Sequence, residues 1–426
     1  MTSPDGSPGS GAPVETCLPS WHELEALAKH HGDGFWLLDL GRFRANAADF
    51  RDAFVTAGWP DTQLAWSFKT LWAPPVVRAS IEMGGLAEVV SAVEYDLALA
   101  LGIDPELIVV NGPLKTVADL SRATALGSRI HLDGPDEVAD LLALADRHPG
   151  RRFRVGLRVN LDLGLPQRSR FGLDSGSNDL RAAFAELSAH PRVEVDGLQV
   201  HLGGARAPEL YTHRAERLVD LADDLWAVGS GPAHLDLGGG FTGTIPEALW
   251  RQLGHAPWTP AAYAKAIVPV LRRRWPAGGP ALLLEPGMAL AADAMRFAAR
   301  VGATKIIAGV HHAIVGASVY AVKPTLHRFD LPLHAIQRDG RPVPAGHTMV
   351  SGWTCMEGDI LARDCGLELA RGDWVVLDNC GAYTFVLSSR FVRGTPAIIQ
   401  RKGDDWHTVR RADTAADWLA TFEERG

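Results

Sequence analysis

LAWSFK, residues 64–69, is an apolar run that ends in a lysine and passes into a helical stretch, after which a second β-like run, LAEVVS, follows at 86–91. The alternation continues through LIVVNG (107–112), RIHLD (129–133), RVGLRVN (154–160), GLQVHLG (197–203), HLDLGGG (234–240) and LLLEPG (282–287). The stretches between carry apolar residues at helical spacing, as in DEVADLLALADRH (136–148) and LYTHRAERLVDLADDLWAV (210–228). Ser91 followed by Glu94 predicts a capping box at the start of the helix after the second run. Eight such units between residues 62 and 290 predict an α/β chain closed into a (β/α)8 TIM barrel. A doubly wound open sheet is the competing reading, and the similar length of the eight units favours closure.

Beyond residue 300 the pattern changes. LPLHAI, HTMVSGWTC, DWVVLDN and PAIIQR are separated by turn residues, and few helical patterns remain before the final WLATFEER. This predicts a C-terminal β domain. The expected organisation is a disordered leader at 1–15, a barrel at 40–295, and a β domain made of 16–39 with 296–426, the run FWLLDL (35–40) straddling the first boundary. The 426 residues suffice for two domains. A net charge of -8 gives no electrostatic case for nucleic acid or an anionic membrane. The one tight basic run, Arg272 to Arg274, ends a helical segment and suits its dipole. Four scattered cysteines make no disulfide framework, so a cytoplasmic protein is expected. No apolar run approaches the roughly 20 residues of a membrane span.

In a barrel of this kind the C-terminal strand ends carry the chemistry. Here they hold Lys69, Ser91, Asn111, Asp133, Asn160 with Arg158, His201, the glycines 238–240 and Glu285. Turn and capping roles account for Ser91, Asn111 and Asp133. They account poorly for Lys69, His201 and Glu285. A partly desolvated lysine can be deprotonated and form an imine with an aldehyde. Gly238, Gly240 and Gly243 match G-x-G-x-x-G, but on the seventh unit, with no acidic strand end about 20 residues on as a dinucleotide site needs. A cradle for one phosphate, or a tight turn without ligand, fits that place better. Glu285, led in by apolar residues, needs a partner. Lysine, phosphate cradle and lone carboxylate in one barrel mouth match pyridoxal phosphate, with the carboxylate on the ring nitrogen. His201 reads either as a ring-facing residue or as an ordinary half-buried histidine.

At these residues the chain resembles the alanine-racemase-like pyridoxal phosphate decarboxylases, the group of diaminopimelate and ornithine decarboxylases, over about residues 35 to 400. WSFKT is similar to the family's YAxKA stretch, GLQVHLGG to its HIGS segment, HLDLGGGF to its glycine loop and LLLEPG to EPGR. CMEGD resembles the C-x-x-x-D motif and DNCGAYTF the GAY motif. The resemblance implies that Lys69 carries the cofactor, His201 stacks on it, Glu285 binds its nitrogen, and Gly239, Gly240 and Tyr383 hold its phosphate. It implies Cys355 as proton donor, with Cys355 and Asp359 reaching the site from the other subunit of a homodimer. Racemases of this fold place an arginine at the ring nitrogen, so Glu285 and the Cys355-to-Asp359 motif favour loss of a carboxylate.

Four departures touch phosphate or substrate. Met288 stands where relatives have the EPGR arginine. Gly204 stands where HIGS has its serine, with Arg206 and Arg158 as candidate compensators. Met356 follows the motif cysteine where lysine- and ornithine-pathway enzymes have an acid; Glu357 is next but faces the other way in an extended segment. The family's Asp-Gly-Gly reads VHHAIVGAS, and Lys323-Pro324 occupies the place of a substrate-binding Arg-Pro. His311 and His312 lack a third ligand at metal spacing. The paired histidines, NGPLK and SFKT resemble decarboxylases of siderophore and antibiotic pathways. The expectation is therefore a homodimeric amino-acid decarboxylase of specialised metabolism, with Met288, Met356, Asp359 and Lys323 near the substrate. Diaminopimelate decarboxylase is the alternative; a racemase or a non-catalytic pyridoxal phosphate binder stands behind it.

Overall fold

The computed structural model describes residues 18–423 apart from 167, 205, 228, 229 and 341. The leader expected at 1–15 lies outside the described residues. The first strand, β1 (Gly34–Leu38), precedes the ring made by β2 (Thr62–Ser67), β3 (Leu86–Val89), β4 (Ile108–Val110), β5 (Arg129–Leu132) and β6 (Phe153–Asn160). After a two-residue strand, β7 (Leu173–Asp174), the ring continues through β8 (Val193–Gln199), β9 (His234–Asp236) and β10 (Ala281–Leu284). β10 pairs with β2, and β5 pairs with β6, so eight parallel strands close on themselves. The closed barrel, not the open sheet, is the architecture. Its strands are buried along most of their length because helices cover the outer face and side chains fill the inner one.

The helices begin where local chemistry starts them. Thr116 and Asp119 exchange side-chain and backbone hydrogen bonds ahead of the helix Val117–Leu126. Ser91 caps the helix Ala92–Ala100 by accepting from Glu94 N–H. The reciprocal half of that box is absent: the Glu94 carboxylate accepts instead from Val90 N–H at 2.7 Å. Arg272, Arg273 and Arg274 occupy the last turn of the helix Pro260–Arg274, where Arg273 and Arg274 pair with Glu216 and Asp223 on the neighbouring helix.

The second sheet contains β11 (Met295–Ile307), β12 (Val310–Val315), β13 (Leu333–Ile336), β14 (Thr348–Ser351), β15 (Ile360–Ala362), β16 (Trp374–Leu377), β17 (Ala397–Lys402) and β18 (Asp405–Arg410). β1 lies within it, antiparallel to β11 and parallel to β17. The helix Trp21–His31, which the sequence pattern did not announce, packs Leu24 and Leu27 against Phe35, Leu37, Trp374 and Ile399. The long strand β11 also escaped the sequence reading, as its GATK segment interrupts the apolar pattern of a strand. This sheet reaches the barrel mouth through the turns after β12 and β16. No helix among the described residues is long and apolar enough to cross a membrane.

Phe35 is fully buried in the cluster with Leu24, Leu27, Trp374 and Ile399. Phe35→Ala should destabilise the protein by about 3–5 kcal/mol, read from a chemical unfolding curve.

Candidate active site

The C-terminal strand ends open on one cavity of about 520 Å3, whose wall combines barrel residues with Thr325, Leu326, Asn379 and Tyr383 of the second domain. Lys69 follows β2 in a turn. Its Nζ donates to Ser67 Oγ at 3.2 Å and is ion-paired with Glu88. Glu88 lies within β3 and is 1% exposed. Burial would draw the Lys69 ammonium below the lysine range. The carboxylates of Glu88 and Glu285 outweigh it and hold Lys69 well above that range. Desolvation alone therefore does not free this amine, contrary to the sequence expectation. Glu88 is its nearest base.

Glu285 follows β10 and is buried. Its Oε1 accepts from Asn111 Nδ2 at 2.8 Å and from Gln199 Nε2 at 3.1 Å. Burial would raise this carboxyl, but its contact with His201 and the positive charges of Lys69 and Arg158 prevail and hold it below the carboxylate range. Neighbouring Asp236 goes the other way: burial and the Glu285 charge push it well above the carboxylate range. His201 lies beside Glu285, with Nδ1 at 2.9 Å from Gly239 N and 3.4 Å from Glu285 Oε2. A backbone N–H can only donate, so the shorter contact makes Nδ1 an acceptor and places the ring proton on Nε2.

The loops after β8 and β9 bring Gly203, Gly204, Gly239 and Gly240 to the same cavity, with Arg206 beside them. A Cβ on Gly239 would stand 2.5 Å from the Glu285 carbonyl oxygen, and Gly240 has φ +99. Arg206 Nη1 lies 3.8 Å from Met288 Sδ, a soft neighbour that leaves its charge available. Arg158 is turned elsewhere: it binds Asp133 at 2.9 Å and stacks on Phe171. Of the two candidate compensators, only Arg206 lines the cavity. Tyr383 has φ 58 and anchors its N–H on Thr70 O at 3.1 Å. Asn379 in the same wall is buried, and neither atom of its amide head has a partner among the described residues.

Other expected residues do not meet here within one chain. Lys323 is buried, and its Nζ is held by the carbonyls of Phe329 and Leu361 at 2.6 and 2.8 Å. The Asp359 carboxylate accepts from Val319 and Thr354 N–H groups, so it folds its own loop. Cys355 and Met356 are exposed, outside the cavity wall. His311 on β12 bonds Thr348, and among the described residues no His, Cys, Asp and Glu cluster is placed to hold a metal. The sequence reading missed Glu88, Asn379 and the role of Asn111. An acid inside the buried run LAEVV was the available signal for the first.

These groups form a site for a ligand with an aldehyde, a basic ring nitrogen and a phosphate: a pyridoxal phosphate barrel. Residues 40–292 match the family described as "Pyridoxal-dependent decarboxylase, pyridoxal binding domain". The chain is 30% identical to the diaminopimelate decarboxylase of Pseudomonas aeruginosa, over 93% of this chain and 94% of that one. It is 28% identical to that of Actinosynnema pretiosum, over 92% and 89%. Its fold is that of the M. jannaschii diaminopimelate decarboxylase in complex with L-lysine, with a TM-score of 0.83 at 20% identity over 94% of each chain. The chain belongs to the pyridoxal-dependent decarboxylase family. It is an amino-acid decarboxylase whose cofactor is pyridoxal phosphate.

The residues present fit that cofactor. Two buried carboxylates, Glu88 and Glu285, face one ammonium, so the site has room for a second positive charge. The glycine loops leave backbone close to the cavity, and Asn379 has unmet hydrogen bonds there. Removing the Glu88 charge should lower the proton affinity of Lys69, because that charge raises it. In Glu88→Gln apoprotein, acylation of Lys69 by an amine-selective reagent should set in at lower pH than in wild type. An unchanged pH profile would show that Glu88 does not control the amine.

Proposed function

We propose that this decarboxylase acts on an amino acid whose far end carries no free ion, a substrate suited to specialised metabolism. The observation that carries this is the composition of the cavity beyond the lysine. Met288 faces it together with Ile245, Leu249, Leu253 and Leu326. Among the described residues, Glu285 is the one carboxylate in that wall. Within one chain's main cavity a distal ammonium would meet no further acid among the described residues, and the buried Lys323 is unavailable to a distal carboxylate. An adjoining recess of about 340 Å3 shares Gly203 and is lined by Leu161, Leu163, Leu165 and Phe171 together with the charged Asp162, Arg168 and Arg170, so the apolar character belongs to the main cavity alone. A second reading, diaminopimelate as substrate, is supported by the names of the relatives. Carbon dioxide release across a panel of amino acids separates the two. A kcat/KM for diaminopimelate above about 10⁴ M⁻¹s⁻¹ would overturn the first reading.

Each residue then has a role. Lys69 would hold the cofactor through its aldehyde, and Glu88, its ion-pair partner, would take the proton the amine must lose. Glu285 binds the ring nitrogen and keeps it protonated, which makes the bound cofactor a sink for the electrons left when the carboxylate departs. His201 would pack beside the cofactor, and the glycines 203, 204, 239 and 240 with Tyr383 and Arg206, which line the same cavity, would hold its phosphate. The exposed loop with Cys355 and Met356 serves the cavity of a second copy, where Cys355 returns a proton to the substrate carbon.

Three measurements test these roles. Borohydride treatment of the holoenzyme should attach a pyridoxyl group to Lys69 alone, and Lys69→Ala should lose the visible absorption of the bound cofactor. Labelling elsewhere would refute the assignment. Arg206→Met should weaken cofactor binding by roughly 10- to 100-fold, the worth of one charged hydrogen bond. Mixing inactive Lys69→Ala with inactive Cys355→Ala protein should restore activity if sites are shared between copies, and should restore none if each chain works alone.

A further inference from the structure

Two histidines lie inside the barrel, behind the cavity and outside its wall. His131 is on β5 and His234 on β9, each 1% exposed. Their Nε2 atoms are 2.8 Å apart, and His131 Nδ1 is 2.7 Å from Asn111 Oδ1. The rings occupy space that neighbouring strands leave for them. A Cβ on Gly156 would stand 2.4 Å from His131, and one on Gly197 2.2 Å from His234.

The protons in this chain can be assigned by elimination. Asn111 Nδ2 lies 2.8 Å from Glu285 Oε1 and 3.2 Å from Glu88 Oε1. Carboxylates only accept, so the amide nitrogen faces them and the amide oxygen faces His131. That oxygen only accepts, so His131 carries its proton on Nδ1. Its Nε2 is then a lone pair and accepts from His234 Nε2–H. Burial lowers both imidazoles, His131 to about 3, so both rings are neutral and the direction is unique. His234 Nδ1 is left facing Asp196 at 3.9 Å.

We infer that His234, His131 and Asn111 form a one-way hydrogen-bond relay that positions the Glu285 carboxylate for the cofactor ring nitrogen. Each donor in the row polarises the next. Asn111 and Gln199 together fix Oε1, which leaves Oε2, the oxygen beside His201, as the freer acceptor toward the cavity. The histidines are positioning residues: they touch neither substrate nor cofactor and act through Asn111. The inference rests on the assignment of Glu285 to the ring nitrogen.

The relay is tested first in wild-type protein without cofactor. Nitrogen-15 spectra of labelled histidine should show His131 as the Nδ1–H tautomer and His234 as the Nε2–H tautomer. An Nε2–H His131 overturns the relay whatever the cofactor does. Holoenzyme made with pyridoxal phosphate labelled at the ring nitrogen then reads the consequence. That nitrogen should be protonated in wild type and in His131→Asn, whose side-chain amide can replace the Nδ1 donor. It should lose proton occupancy in His131→Leu. With a turned-over substrate, kcat should fall about tenfold or more in His131→Leu, with KM within about twofold of wild type. Wild-type ring-nitrogen shift and kcat in His131→Leu would overturn the proposal. Should that variant not fold, a ring nitrogen that is deprotonated in His131→Asn overturns it equally. Wild-type protein that takes up no cofactor at Lys69 overturns the cofactor assignment and this consequence with it, while the tautomer result stands apart.

Discussion

Two carboxylates buried in the barrel, Glu88 and Glu285, face a single ammonium, that of Lys69. Ions taken out of water must be matched by partners, and here the match is incomplete within the chain. Amide donors from Asn111 and Gln199 supply part of what Glu285 needs. Asp236, a third acid beside them, has its carboxyl pushed well up by burial and by the Glu285 charge. The imbalance is what makes the cavity floor suited to a cofactor that brings its own positive charge at the ring nitrogen. It also fixes the acid limit of the site. Glu285 has its carboxyl lowered in the fold, so its contribution is present above the ordinary carboxylate pKa and disappears as pH falls through the lower, folded value. Lys69 is raised, so its contribution is full below the ordinary lysine pKa and is lost only as pH climbs through the higher, folded value.

Residues that a strand presents at its own end were legible in the sequence. Lys69 and Glu285 close apolar runs, and a charge after such a run needs a reason that one strand can reveal. The barrel was legible for the same cause, since each unit announces itself locally. Glu88 was hidden because strands buried on both faces read as continuous apolar runs, in which one acid passes for a boundary residue. Asn111 was explained by its turn, yet its amide bridges Glu88 and Glu285. The histidine pair could not be read at all: His131 and His234 are 103 residues apart, and only closure of the ring brings their nitrogens together. The glycines that make room for them, Gly156 and Gly197, look like ordinary strand glycines until the rings are seen.

The second domain was expected to join 16–39 with 296–426, but not which strands pair. β1 lies between β11 and β17, and partners so distant in sequence leave no local trace of their pairing. Lys323 and Asp359 stand in motif positions but turn their charges to the backbone. A motif gives the residue, while the loop around it decides where the side chain points.

The exchange at positions 206 and 288 joins the two halves of the functional reading. Relatives are expected to carry an arginine where this chain has Met288 and a serine hydroxyl where it has Gly204. Under the proposed roles the cation has moved to the loop after β8, as Arg206, next to the glycines that surround the phosphate. Its neighbour Met288 is thereby released from ion binding and becomes wall. An arginine at 288 would put a charge between phosphate and substrate, where it serves either. With the charge withdrawn to 206, the phosphate keeps its counter-ion while the face toward Leu249, Leu253 and Leu326 stays apolar. A substrate bearing a distal carboxylate would then compete with the phosphate for Arg206, and an uncharged one would not. Under that proposal one relocation of charge would account for Met288, and it would tie cofactor binding to the apolar substrate proposed for the cavity.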